Sequence, residues 1–486
     1  MTCPPWPKGK KLVHLDLKGA PPRVEYLHKL IELFSDLGVD GLLVEYEDMF
    51  PYDGELKLLQ ATVQPAYSRE EVLSMQEFAR SKGMEVVPLV QTFGHMEFAL
   101  KHRPLWSLRE VPYCVGTLNP HREEGVRLVM EMLRQVVKLH PGLNTLHIGA
   151  DEVYILGEGE ESKLWLASPG RTVEQLFLSH VTKVAKAIKE AWPHMTIIMW
   201  DDMMRGMSQD ILKASGLVGL VQPMLWDYTP MSLLEKYCSA GMSDLWVASS
   251  FKGSTSVYTC VPNTQRHVDN HLQWLKVAAS VSAGVNLQGI AITGWQKYDH
   301  LSVLCELMPL ALPSLAACLQ TLSHGQFSTE AQGKVTERLG ICSVEVEAMG
   351  RTSAGDSLFP GRRLAELTVE LNALLNSEDI RMFENDMFVR GWFSPYHRRT
   401  KLVTPLITMQ IHSQASTFIT TLQQKVEAVR EEMVRLYPES TAQEWIEEHV
   451  SPVLGPLQRI TEEIRACVKE MVQNSNKSEH FTHNRY

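Results

Sequence analysis

From residue 12 to about 325, short β-branched apolar runs alternate with longer stretches of helical period. The runs predict strands over Leu12–Leu17, Gly41–Glu47, Glu85–Gln91, Thr145–Asp151, Thr196–Asp202, Leu217–Tyr228, Asp244–Ser250 and Leu287–Trp295. Between them lie amphipathic segments such as Arg23–Leu37, Arg69–Lys82, Glu123–Leu139 and Val173–Trp192, and a further helix is expected over Ser302–Leu322. In the third of these segments Val126, Val129, Met132, Leu133, Val136 and Val137 share one face at i, i+3, i+4, i+7 spacing. Strands alternating with helices imply a parallel sheet, and eight repeats over roughly 310 residues suit a closed (β/α)8 TIM barrel better than an open sheet. The strands are apolar almost throughout, as both-sided burial requires. An open doubly wound sheet would carry a glycine-rich phosphate loop after its first strand, and His14-Leu15-Asp16-Leu17-Lys18-Gly19 is not one.

Beyond residue 325 the strand pattern stops. Helices are predicted over Leu364–Leu375, Lys401–Leu436 and Glu444–Val472, with breaks at Pro405, Pro438, Pro452 and Pro456. The expected organisation is an N-terminal extension (1–11), a catalytic barrel (12–325), a C-terminal helical domain (326–473) and a disordered polar tail (474–486). The aromatic segment Phe388–Arg398 reads either as a plug packed on the barrel or as a loop reaching a barrel mouth. An exposed face on the C-terminal helices is compatible with a homodimer.

Composition narrows the class. With 486 residues, 44% apolar, the chain is not disordered; a net charge of −10 with no long basic run argues against nucleic acid or anionic membrane as partner. The first apolar stretch is interrupted by His14 and Asp16, so no signal peptide is expected. The longest apolar region, Leu307–Leu319, holds two prolines and falls short of the ~20 residues of a membrane span. Eight cysteines stand singly, with no C-x-x-C, which points to a reducing compartment, cytoplasmic or nuclear.

In such barrels chemistry sits at the C-terminal strand ends. Those ends carry Asp16 and Lys18; Glu45, Glu47 and Asp48; Gln91 and His95; His147, Asp151 and Glu152; Trp200, Asp201 and Asp202; Trp226, Asp227 and Tyr228; Phe251 and Lys252; and Trp295, Gln296, Lys297, Tyr298 and Asp299. Acids and indoles dominate, the residue types of a glycosidase: indole faces stack on pyranose rings while carboxyls manage the glycosidic oxygen. Period-2 alternation would put His147, Gly149 and Asp151 on one strand face, with Gly149 leaving room for a substrate group. Two adjacent carboxyls repel, so one pKa should rise into the range of a general acid.

His147-Ile148-Gly149-Ala150-Asp151-Glu152 resembles the His-x-Gly-x-Asp-Glu motif of glycoside hydrolase family 20, the β-N-acetylhexosaminidases. Glu47-Asp48-Met49-Phe50-Pro51-Tyr52 is similar to that family's Asp-Asp-x-x-Phe-Pro-Tyr, and the run from Tyr67 to Phe93-Gly94-His95 to its helix, third strand and Pro-Gly-His turn. The likeness covers residues 12 to about 300. It looks closest to the intracellular branch, which has a barrel plus C-terminal helices and lacks the N-terminal α/β domain of the lysosomal enzymes. The resemblance implies a retaining, substrate-assisted exo-glycosidase without cofactor or metal, acting on terminal N-acetylgalactosamine or N-acetylglucosamine of a glycoconjugate or oligosaccharide. In it Asp151 would orient the acetamido N–H and Glu152 would protonate the leaving oxygen, with Asp151 keeping Glu152 protonated. His95, His147, Trp200, Trp226, Asp227, Tyr228, Trp295, Asp16 and Lys18 would bind substrate.

The chain departs from the family in three places. Lys18 stands where an arginine grips the sugar hydroxyls, Phe251-Lys252 replaces a tyrosine after strand seven, and Trp295-Gln296-Lys297 replaces Trp-x-Glu. Two other readings remain. One is an inactive sugar-binding barrel. The other is a metal-dependent hydrolase using His14, Asp16, His95, His147 and Asp202.

Overall fold

The computed structural model describes residues 3–7, 9–226, 231–348 and 359–482. Eight parallel strands close into a barrel in sequence order: β1 (Lys10–Asp16), β2 (Gly41–Glu45), β3 (Glu85–Leu89), β4 (Thr145–His147), β5 (Thr196–Trp200), β6 (Val221–Leu225), β7 (Asp244–Lys252) and β8 (Asn286–Gly294). β8 pairs back onto β1, with Lys10 opposite Gly289 and Val13 opposite Ile292. Every predicted strand is present, and alternate residues fill the bore: Leu12, Leu43, Val87, Leu89, Ile198, Met224, Trp246, Ala248 and Ala291 pack with Trp200 in one buried cluster.

The helical faces are those the periodicity picks out. Glu123–Leu139 buries Val129, Met132, Leu133 and Val136, joined by Leu128 and Leu139, while Val126 and Val137 of the expected face are only partly buried. Arg69–Ser81 starts on a capping box, Ser68 Oγ accepting from Glu71 N–H while Glu71 accepts from Ser68 N–H. No helix among the described residues is long and apolar enough to cross a membrane.

Several boundaries move. β1 begins at Lys10, inside the expected extension, because Lys10 and Lys11 extend the ladder to β8. β4 ends at His147, where left-handed turns begin, so the expected strand over Thr145–Asp151 is shorter. The helix after β8 starts at Met308, because residues 295–307 serve the mouth of the barrel. Pro456 does not break its helix: Ser451–Thr482 runs through it, held by the buried stripe Leu457, Ile460 and Ile464, and the helix continues past Asn474, where a tail was expected. Residues 483–486 lie outside the described residues.

The chain divides into two compact units. The first holds residues 1–362 and 436–438, and so takes in the helix Thr329–Leu339, whose Val335 and Leu339 face Ala316 and Leu319. The second holds residues 363–435 and 439–486, built on the long helices Pro405–Leu436 and Ser451–Thr482 with Trp445 buried. The segment Phe388–Arg398 forms two short helices there, burying Val389 and Phe393 and exposing Trp392 and Tyr396.

At the top of the barrel, a buried ammonium links three segments. Lys18 Nζ lies 3.0 Å from Asp16, 3.1 Å from Glu45 and 3.5 Å from Glu47, and the side chain is 3% exposed. Burial opposes its charge, but the surrounding acids outweigh this and hold its pKa well above the usual lysine value. Glu45, though buried, is pulled well below the ordinary range by Lys18 and His14, while burial and the neighbouring acids raise Glu47. Lys18→Met leaves these carboxylates buried without their cation, and should destabilise the fold by about 3–5 kcal/mol. Urea denaturation measures this; a loss under about 1 kcal/mol would mean that water replaces the ammonium.

Candidate active site

The chain after β4 sets the centre by leaving the strand. Gly149, Ala150 and Glu152 all have positive φ (65°, 65° and 45°), so alternation ends at His147 and the shared face expected for His147, Gly149 and Asp151 does not form. The room beneath the acids is filled by protein: a Cβ on Gly149 would come within 1.9 Å of Gln91 Oε1. Gln91 instead donates its amide to Asp151 Oδ1 at 3.0 Å. Gly94 permits the matching approach from β3, since a Cβ there would meet the Asp151 carbonyl at 2.1 Å. His95 and Glu47 are also left-handed (51° and 45°). Non-glycine strain is thus concentrated at this mouth.

This backbone brings His95, Asp151 and Glu152 together. His95 Nε2 is 3.0 Å from Glu152 Oε2 and 3.5 Å from Asp151 Oδ2, and its Nδ1 faces Glu97 at 3.9 Å. Asp202 accepts from the Glu152 N–H at 2.8 Å and from the Trp226 indole at 3.4 Å. Burial works against the charged imidazole, yet Asp151, the bond to Glu152 and Glu97 push its pKa up to about 10. Burial lifts Asp151 to about 6 against the pull of His95, with Asp202 adding to the rise. Glu152 moves the other way, held below the usual range chiefly by its bond to His95, with Tyr154 assisting. One carboxyl is raised, but it is Asp151 and not the expected Glu152, and burial rather than the adjacent carboxylate raises it. The reason is that Asp151 is buried and Glu152 is paired to a cation.

The three groups lie in a cavity of about 280 Å³ whose walls include Trp200, Trp226, Trp295 and Tyr298. Trp200 is a floor, 1% exposed, while Trp226 and Trp295 are partly open. A larger hollow, about 410 Å³, lies between the opposite ends of β3 and β4 beside Glu85 and Thr145; it lacks a comparable acid group and is at the structural end of the barrel.

Three expected substrate ligands do not line this cavity. His147 is fully buried; its Nδ1 accepts from Gly149 N–H at 3.0 Å and its ring packs on Trp200 at 4.6 Å. Burial holds its pKa down to about 3. Asp16 accepts from the Gln296 N–H at 2.7 Å, and Lys18 lies 5.6 Å from the centre of the Trp295 ring. His147 thus packs on the Trp200 indole and Lys18 on that of Trp295, while Asp16 is taken up by the backbone after β8. Asp227 and Tyr228 lie outside the described residues. Tyr154, two residues beyond Glu152, and Glu97 escaped the sequence reading; neither falls at a strand end.

Among the described residues, His95, Asp151 and Glu152 are also the group whose ligand atoms, all within 4.8 Å, could hold a metal ion. The alternative metal set is dispersed: His14 pairs with Glu45 at 3.0 Å, and Asp16 and Asp202 are taken up by backbone N–H groups.

A closed barrel with paired acids under indole walls is an arrangement that suits a glycoside hydrolase. The family model for the glycosyl hydrolase family 20 catalytic domain matches residues 43–282. The chain is 46% identical over 468 residues to Hexosaminidase D of Homo sapiens, covering 94% of this chain and 95% of that protein. It is 51% identical over 342 residues to Hexosaminidase D of Bos taurus, covering 69% and 98%. The chain therefore belongs to glycosyl hydrolase family 20, the β-N-acetylhexosaminidases. A β-N-acetylhexosaminidase of Bacteroides fragilis shares the fold, with a TM-score of 0.51 at 16% identity over 68% of this chain and 70% of that one.

The shifted pKa values set a pH range. Activity that needs ionised Asp151 is present above about pH 6 and lost as pH falls through that value; His95 keeps its proton up to about pH 10. A pH profile of kcat/KM should therefore show an acid limb near 6 and a plateau into the alkaline range. Because the Gln91 amide lowers the Asp151 pKa, Gln91→Leu should move that limb upward. An unmoved limb would remove Asp151 as its source.

Proposed function

We propose that the protein is a retaining exo-glycosidase that releases terminal β-linked N-acetylgalactosamine or N-acetylglucosamine by substrate assistance. The observation that carries this is the placing of two carboxyls with opposite pKa shifts at one imidazole nitrogen, His95 Nε2. The substrate's acetamido oxygen attacks C1 and forms an oxazolinium, which water then opens. Asp151, ionised at neutral pH, accepts the acetamido N–H and stabilises the positive charge that develops on nitrogen. Trp200 and Trp295 enclose the acetamido methyl and the ring.

At rest Glu152 shares the proton of His95. A sugar covering the half-exposed carboxylate strips its water and raises its pKa, so the proton passes from the imidazole to Glu152 and on to the leaving oxygen. The same pair then takes a proton from the attacking water. His147, Asp16 and Lys18 act through the indoles that they support, and hydroxyl recognition falls to the groups lining the cavity. No step calls for a metal. The singly spaced cysteines, with no C-x-x-C, support a reducing compartment, cytoplasmic or nuclear.

Glu152→Gln should lower turnover of substrates with poor leaving groups by about 10²–10⁴-fold, with a smaller effect on nitrophenyl glycosides. Asp151→Asn should lose about 10²–10³-fold on both; a near-native rate would remove substrate assistance. Nitrophenyl β-N-acetylgalactosaminide and β-N-acetylglucosaminide, assayed side by side with and without EDTA, test class and preference together. Loss of activity in EDTA would favour the metal-dependent reading, and no turnover of either sugar would favour a binding protein.

A further inference from the structure

The three indole walls are held in different ways. Trp200 is buried and Trp295 lies over Lys18, whereas Trp226, at the end of β6 and partly open, is covered by a guanidinium. Arg205 Cζ lies 4.8 Å from the centre of the Trp226 ring, and its Nη2 donates to Asp201 Oδ1 at 2.7 Å. Trp226 lines the cavity and Arg205 does not, so the cation takes the face of the indole turned away from it. The Arg205 carbonyl accepts from Lys236 Nζ at 2.7 Å, which fixes this turn to the helix Met231–Ser239.

Both contacts of Arg205 converge on Asp202. Asp201, fully buried, also accepts from the Tyr237 hydroxyl at 3.2 Å, and its N–H donates to the Met224 carbonyl at 3.1 Å. Its neighbour Asp202 therefore leaves a fixed main chain, with Oδ1 taking the Trp226 indole N–H and Oδ2 the Glu152 N–H. Glu152 keeps a left-handed φ of 45°, a torsion that persists in a non-glycine residue only where its neighbours enforce it. Burial lifts the Asp202 pKa to about 6, and Asp201 adds to the rise; the bonds from Glu152 and Trp226 and the charge of Arg205 oppose it. An ionised acceptor holds an N–H more strongly than a neutral one, so the groups that keep Asp202 charged also keep Glu152 in place.

We propose that Arg205 is a positioning residue for the reaction. Through the Trp226 indole and the Asp201–Asp202 turn it holds Asp202, and Asp202 holds the Glu152 main chain in the torsion that aims its carboxyl at the leaving oxygen. Arg205 itself touches neither the sugar nor the reacting atoms. Its loss frees the indole to turn and leaves Asp201 buried without its cation, so Asp202 is loosened from both sides and the Glu152 backbone relaxes. The inference rests on the reading of Glu152 as the proton donor.

Amide hydrogen exchange tests the main-chain part without catalysis. In Arg205→Met the Glu152 amide should exchange about tenfold faster than in the wild type, while the Ile148 amide, bonded to the Ile198 carbonyl of β5, stays as it was. Kinetics tests the rest. An acid matters most when the leaving group is poor, so Arg205→Met should lower kcat on a disaccharide by about 10–100-fold, and on the nitrophenyl glycoside of the same terminal sugar by no more than about threefold, with KM little changed. A weakened wall alone would instead raise KM for both substrates alike; that pattern, or an unchanged Glu152 exchange rate, would overturn the role. In the Asp202→Asn background Arg205→Met should cost less than about twofold more, because both changes act on one N–H; losses that multiply would also overturn it. If Arg205→Met does not fold, Arg205→Gln, which keeps a donor for Asp201 without the charge, carries the same comparisons. Should Glu152→Gln show no dependence on the leaving group, the proton-donor reading fails instead, and the exchange rate alone decides the role of Arg205.

Discussion

The mouth of this barrel depends on one ammonium that water does not reach. Lys18 Nζ holds Asp16 and Glu45 from the first two strands and approaches Glu47 beyond the second. Through Asp16 the tie extends to the backbone after β8, and through Glu47 to His300, 2.8 Å away. Three acids packed without a cation would repel and protonate; with it, they become the fastening where the sheet closes on itself. Trp295 is seated on this fastening, with His14 at 4.6 Å edge-on and Lys18 beneath its face, so a wall of the acid-bearing cavity is built on a buried charge.

Electrostatic division of labour at the acids comes from a contact between strands. Asp151 and Glu152 are neighbours in sequence and differ in pKa direction because one is buried and the other meets the imidazole delivered from β3. Gln91, from the same strand end as His95, fixes the Asp151 carboxylate, and Asp202, after β5, fixes the Glu152 backbone. Three strand ends thus cooperate to aim two carboxyls, and each partner is within hydrogen-bond reach.

The barrel was legible in the sequence because strands covered on both faces are apolar almost throughout, and because most helices between them carry an apolar stripe of 3.6-residue period. The end of β4 was not. A left-handed turn at Ala150 or Glu152 has no periodic signature, and alternation projected past His147 assigns the wrong faces. The paired acids, His95 and the three indoles could be found from spacing and motif. Depth could not: Asp16, Lys18 and His147 occupy strand ends like the others, yet lie behind the cavity wall. Which acid would be raised depended on His95, brought near by folding from more than fifty residues away.

The left-handed residues at the mouth have a consequence for how the protein fails when heated. Glu47, His95, Ala150 and Glu152 hold their φ angles because the surrounding packing compels them, and each would relax if its neighbours loosened. The paired carboxyls are aimed by main-chain torsion as much as by side-chain rotamer, so a modest local opening turns them away while the ladder of eight strands stays intact. Warming should therefore erase the aim of the centre before it melts the barrel that carries it.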